Sequence, residues 1–223
     1  MTAWPGRERQ QRHPGAGEAP MEGMRLRQLS RRQAEDLRED LADLYVESYL
    51  YMVDPGCPFA AEHPGRQGFL RRLAASVRQP AFAMLIAETT ALAGCTFGYP
   101  VRPDGIRWLG FEGALPRRVD RLTASGRVLA VTEIVAHPRE QDHGLAQQLQ
   151  EQLLAARHAS LGVALVNPAD RTTHAAFRSW GWEDVGEIRR PSSRTVRRVL
   201  VLPRDGSPAA ARAPRRGSAA FHL

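Results

Sequence analysis

The sequence contains no lysine: all 31 basic residues are arginine, set against 24 acidic residues and 7 histidines. A bias of this kind runs along the whole chain, so the net charge of +7 and the pI near 10.5 do not by themselves mark a nucleic-acid surface. Part of the excess lies after Pro203, where Arg204, Arg212, Arg215 and Arg216 accompany a single Asp205. A nucleic-acid partner is not expected. Cysteine is nearly absent too, and Cys57 and Cys95 are too isolated for a disulfide framework or a zinc ribbon. That agrees with a reducing, cytoplasmic setting. No H-x-x-x-H or C-x-x-C pair is present, so no metal is expected.

Long apolar runs are missing as well. "AFAMLIAE" and "RVLAVTEIVA" end well before the roughly 18 residues that a membrane span requires, so no membrane association is expected. The first residues carry positive charge with no apolar segment behind them and do not read as a secretory signal. A G-x-S-x-G elbow, a G-K-[ST] phosphate loop and a G-x-G-x-x-G fingerprint are all absent, which removes three common enzyme classes.

What is present is a chain of 223 residues with 43% hydrophobic content, enough for one domain with a true core. Residues 1–23 and 203–223 are rich in Gly, Pro, Ala and Arg without periodicity and read as disordered extensions, leaving 24–202 as the folded domain. "MRLRQL" alternates as a strand. Ser30 then stands as an N-cap before one helix over 31–52, where Leu37, Leu41, Leu44 and Tyr45 recur at helical spacing. A second helix fits 66–78, with Phe69, Leu70 and Leu73 on one face, and a hairpin follows over 81–101. An irregular Gly-, Pro- and Arg-rich excursion is expected over 102–126. After it come a strand ending at His137, a helix from Gly144, the strand "GVALVN", the helix "RTTHAAFRSW" and two closing strands. Hairpins in the first half and βαβ units in the second predict an α/β (α+β) fold: a mixed sheet with helices on both faces.

One stretch carries chemistry. In "EIVAHPREQDHGLAQQL" a strand breaks into a charged turn and reaches Gly144 as a helix begins. A helix start exposes backbone N–H groups and the positive end of the helix dipole, so such a turn suits an anion such as phosphate. A glycine that merely starts a helix explains the spacing equally well.

Gln141-Asp142-His143-Gly144-Leu145-Ala146 resembles the Q/R-x-x-G-x-G/A signature of the GNAT superfamily of acyl-CoA-dependent N-acyltransferases. "DRTTHAAFRSWGWEDVGEI" is similar to a later motif of that family, with Gly181-Trp182 where Gly-Phe is usual. The resemblance implies a mostly antiparallel sheet in which one parallel pair, "TEIVA" and "GVALV", splays apart. It implies acetyl-CoA as acyl donor, its pyrophosphate on the turn from Gln141 through Asp142, His143, Gly144 and Leu145 to Ala146. Its pantetheine arm would lie along Ile134, Val135 and Ala136, with a backbone N–H near Val135 polarising the thioester.

It further implies Glu133 as the base that deprotonates a primary amine of a small molecule or peptide. Two positions depart from the pattern. Phe177 stands where a proton-donating tyrosine is usual, and Asp170 where an asparagine contacts the cofactor, with Asn167 close by. These departures leave open a weakly catalytic acyl-CoA-binding domain that serves a regulatory role. Tyr49 and Asp54 are acceptor-side candidates by position, although Tyr45 and Tyr49 also fit core packing.

Overall fold

The computed structural model describes residues 23–52, 65–102, 117–141, 144–190 and 195–204. Strand β1 (Arg25–Leu29) ends at Ser30, which closes a capping box: its Oγ accepts from the Gln33 N–H, and Gln33 Oε1 accepts from the Ser30 N–H at 2.9 Å. The helix that follows is two helices, α1 (Arg31–Asp36) and α2 (Arg38–Met52), rather than the single one expected. The helix breaks at Leu37, whose carbonyl still accepts from Leu41 N–H at 3.0 Å, and Ala34 and Leu41 on either side of the break are both buried in the core.

Helix α3 (Gly65–Val77) leads to the hairpin of β2 (Ala83–Glu88) and β3 (Leu92–Pro100). The stretch expected to be irregular contains a helix, α4 (Arg117–Ala124), whose Val119 is buried against the sheet. Beyond it run β4 (Val128–Ala136), the one-turn α5 (Pro138–Gln141), α6 (Leu145–Ala156), β5 (Leu161–Val166), α7 (Arg171–Ser179), β6 (Glu183–Arg190) and β7 (Thr195–Pro203). Strand β7 extends past the expected boundary at Leu202 to Pro203.

The seven strands form one sheet in the order β1-β2-β3-β4-β5-β7-β6, antiparallel throughout except for the parallel pair β4 and β5. Strand alternation sends successive residues to opposite faces. Leu85 joins Leu149, Leu153, Leu154 and Phe177 under α6 and α7, whereas Met84 and Ile86 join Leu41, Phe69 and Leu73 under α1 to α3. The α4 side of the second half holds a third core around Val128, Val163 and Val201. The expected fold class is therefore the observed one. No described helix is long and apolar enough to cross a membrane.

Candidate active site

Strand β4 changes character at Thr132. Val128 and Ala130 point into the α4-side core, and Leu129 and Val131 into the α6-side core. Uninterrupted alternation would send Glu133 to the α6 side as well. Instead Gly98 pairs with Val131 and Phe97 with Glu133, so Thr132 is an extra residue, a β-bulge. Parity reverses beyond it. Val135 packs under α1 to α3, Ile134 and Ala136 face α6, and Glu133 turns toward α3. Gly98 is required opposite the bulge, because a Cβ there would overlap the Ala130 carbonyl oxygen. Thr96 Oγ1 donates to the Glu133 carbonyl at 3.0 Å and holds the strand in register just past the insertion.

The same insertion opens the sheet. Strands β4 and β5 pair only through Val128–Leu161, Leu129–Gly162 and Ala130–Val163, while β5 stays paired with β7 as far as Val166. Beyond Ala130 a cleft of about 300 Å³ separates the two strands, at the small end of ligand sites. Its walls include Glu133, Ile134, Val135 and Ala136 on one strand and Leu165 and Asn167 on or after the other. Asp170, Phe177 and Trp180 close it from the α7 side, and Tyr45, Ser48 and Arg72 from the α2 and α3 side. The cleft thus joins the two faces of the sheet.

Glu133 is the carboxylate at the α3 end of the cleft. Arg72 Nε donates to its Oε2 at 2.7 Å, and the Glu133 side chain is 15% exposed. Burial pushes the Glu133 carboxyl above its usual range, and the Arg72 charge and hydrogen bond oppose that rise. The Arg72 guanidinium lies 5.4 Å from the Tyr45 ring centroid, and Tyr45 in turn stacks on Phe69. Burial raises the Tyr45 phenol, so it stays neutral at physiological pH. Ser48 Oγ is buried without a hydrogen-bond partner among the described residues.

At the other end, Gly144 is the left-handed N-cap of α6 with φ of +72° and open space where a Cβ would stand. No side chain caps this helix among the described residues, and Gln148 N–H donates to Gly144 O at 3.0 Å in its first turn. Ala146 lines the cleft from the first turn.

The expected residues separate into groups. Glu133, Ile134, Val135, Ala136, Ala146, Asp170 and Phe177 line one cleft, and Gly144 stands at the start of α6. Leu145 differs from the expectation in one respect: its side chain is fully buried in the α6 core, so only its backbone N–H is left for a ligand. Asp170 caps α7 by accepting from the Thr173 N–H at 2.9 Å, and Asn167 Oδ1 accepts from Ala169 N–H, a local turn. Phe177 packs edge-on against Trp182 at 4.9 Å, and Trp182 Nε1 donates to buried Gln150. Gln141 lies in α5, while its side chain, Asp142, His143, Asp54 and the Tyr49 side chain lie outside the described residues. Arg72 was missed. Its signal was a charged residue at helical spacing from Phe69 and Ser76, on a stripe that otherwise faces the core.

The chain is an α/β fold whose central sheet parts at one parallel pair, with a bulge beside the parting. More narrowly, the chain has the GNAT fold. A Desulfovibrio desulfuricans protein assigned to the GNAT family of acetyltransferases superposes with a TM-score of 0.53 at 12% identity, covering 81% of this chain and 98% of its own. An aminoglycoside 6'-acetyltransferase type Ii gives 0.50 at 11% identity, with 80% and 96% covered. A protein from Pyrococcus horikoshii OT3 gives 0.50 at 15% identity, with 82% and 99% covered. No family model and no curated protein matches the sequence.

Proposed function

We propose that the chain is an N-acetyltransferase that moves an acetyl group from acetyl-CoA to a primary amine of a small molecule or peptide by direct attack in a ternary complex. The observation that carries this reading is the cleft through the sheet, with a buried carboxylate on one side and an uncapped helix start on the other. The site fits the donor: the α6 N–H groups of Leu145 and Ala146 and the open space at Gly144 suit a pyrophosphate, and the β4 segment Ile134–Ala136 borders the gap that would take the pantetheine arm. When bound, acetyl-CoA supplies the acetyl group as a thioester, whose carbon forms the new C–N bond as its C–S bond breaks.

The chain's own residues deal with the proton. An alkylammonium with pKa near 10 is mostly charged at neutral pH and must lose a proton to become a nucleophile. Glu133 is the acceptor of that proton, directly or through water. A carboxyl raised by burial is a stronger base than an exposed one, and the Arg72 charge and hydrogen bond oppose that rise. Phe177 has no proton to give, and Tyr45 is the tyrosine that lines the cleft among the described residues.

The test is free CoA thiol released from acetyl-CoA with a broad panel of primary amines, run for the wild type and Glu133→Gln. Because the chain holds no lysine, consumption of acetyl-CoA by its own ε-amino groups does not confuse the signal. Amine-dependent release lost in the variant supports the reading. Tight acetyl-CoA binding without release for any amine favours a binding domain, the second reading, which the apolar Phe177 supports. Neither binding nor release sinks both.

A further inference from the structure

We propose that Arg72 is a positioning residue for Glu133, its guanidinium holding the carboxylate in place and in the charged form that accepts a proton. The inference rests on the reading of Glu133 as base. The geometry is direct: Arg72 Nε meets Glu133 Oε2 at 2.7 Å across 61 residues of sequence. The guanidinium is held by its surroundings. Phe69, one turn earlier on α3, stacks on Tyr45 of α2 with ring centroids 4.9 Å apart, and Arg72 lies over that same Tyr45 ring. Stability alone does not call for an ionic pair here, since an apolar pair of similar volume serves a core as well or better. Removing only the cation leaves a buried carboxylate uncompensated, and such a group takes up a proton instead.

The groups facing Glu133 single out Arg72. From β3 comes Cys95, a thiol pushed up by burial and by the Glu133 charge, and from α2 comes Tyr45, raised by burial, so both stay neutral. Just past the end of β4, His137 Nε2 lies 3.8 Å from Glu47 of α2. Among the described residues Arg72 is the cation within hydrogen-bonding distance of the carboxylate.

The experiment is a carboxyl-carbon NMR titration of full-length protein labelled at glutamate, the Glu133 signal being the one missing from Glu133→Gln. It is joined by the pH profile of kcat/KM for amine-dependent CoA release. In Arg72→Met the Glu133 midpoint is expected to rise by about one unit or more, and the acidic limb of the profile to move with it. Turnover below that limb then falls about tenfold per unit and recovers at higher pH. Arg72→Lys, which keeps the charge, is expected to remain near the wild type. If Arg72→Met does not fold, the wild type still decides: the Arg72 Nε–H resonance must shift with the Glu133 midpoint. An unmoved midpoint in folded Arg72→Met, or an Arg72 signal that ignores the Glu133 titration, overturns the proposal while leaving the base intact. Undiminished turnover in Glu133→Gln instead overturns the assignment of the base, and the titration still reports on the pair.

Discussion

Two of the bulges in the sheet, one in β4 and one in β6, are built by opposite means. The bulge in β4 is steric. Gly98 on the neighbouring strand leaves room for the Ala130 carbonyl beside the insertion, Thr96 Oγ1 bonds the backbone just past it, and the result is a reversed β4 and an open cleft. The bulge in β6 is electrostatic. Val185 is the extra residue, and Asp184 accepts from the Gly186 N–H at 3.0 Å, from Arg198 Nη1 at 2.6 Å, and pairs with His174 of α7 at 3.2 Å. One insertion re-aims a carboxylate, whereas the other uses a carboxylate to lock a helix onto the sheet edge. An extra residue in a strand is therefore no guide to function until its partners are known.

The largest effect that would sharpen the contrast is chemical. Glu133→Gln is expected to lower turnover about 10²- to 10⁴-fold with little change in acetyl-CoA binding by calorimetry, and the gap is expected to narrow as pH approaches the amine's own pKa. Gly98→Ala comes next. With the Ala130 carbonyl in the way, the bulge has to shift, and urea unfolding is expected to show a loss of about 3 kcal/mol together with lost turnover in the folded fraction. Leu129→Ala is the control on the paired half of β4. Removing a side chain only 1% exposed should cost about 2–5 kcal/mol while the folded fraction keeps its pH profile. If Leu129→Ala altered that profile as Gly98→Ala does, the bulge would lose its special role.

Asp184→Asn gives the smallest effect. Burial alone would raise the Asp184 carboxyl, but Arg198, the Gly186 N–H and His174 outweigh it and hold the group below its ordinary value of 3.8. A depressed carboxylate binds fewer protons folded than unfolded, so its contribution is present above that ordinary value and is lost as pH falls through the folded pKa. Thermal melts should show Asp184→Asn about 1 kcal/mol less stable at neutral pH and the difference shrinking in acid. Turnover should be unchanged.

The sequence revealed what depends on neighbours in the chain. Ser30 and Gln33 are three residues apart, and their capping box was legible as an N-cap. Gly144 announced a helix start because strand, turn and helix follow one another directly. Helix α4 was hidden because its surroundings are rich in Gly, Pro and Arg, and the packing of Val119 and Leu122 against the sheet gives it a reason to form. The break at Leu37 carries neither Gly nor Pro to announce it. Least legible were Arg72 and the bulge. Arg72 finds its partner 61 residues away, and the position of Thr132 is permitted by a glycine on another strand, so neither leaves a periodic trace. The acceptor-side candidates Tyr49 and Asp54 belong to proposal still, since that side chain and that residue lie outside the described parts.

A β-strand is read in a frame of two, each residue assigned to one compartment or the other by its count from the start. The bulge at Thr132 leaves one residue out of that count, so everything after it keeps its order and changes its face. A strand that kept Thr132 but paired it regularly, with no bulge, would still hold Glu133, Ile134, Val135 and Ala136 in the same order. Its acid, however, would face α6 and the side of the helix start, and two apolar residues would face Arg72. In this scaffold the location of the chemistry is thus a matter of counting as much as of composition.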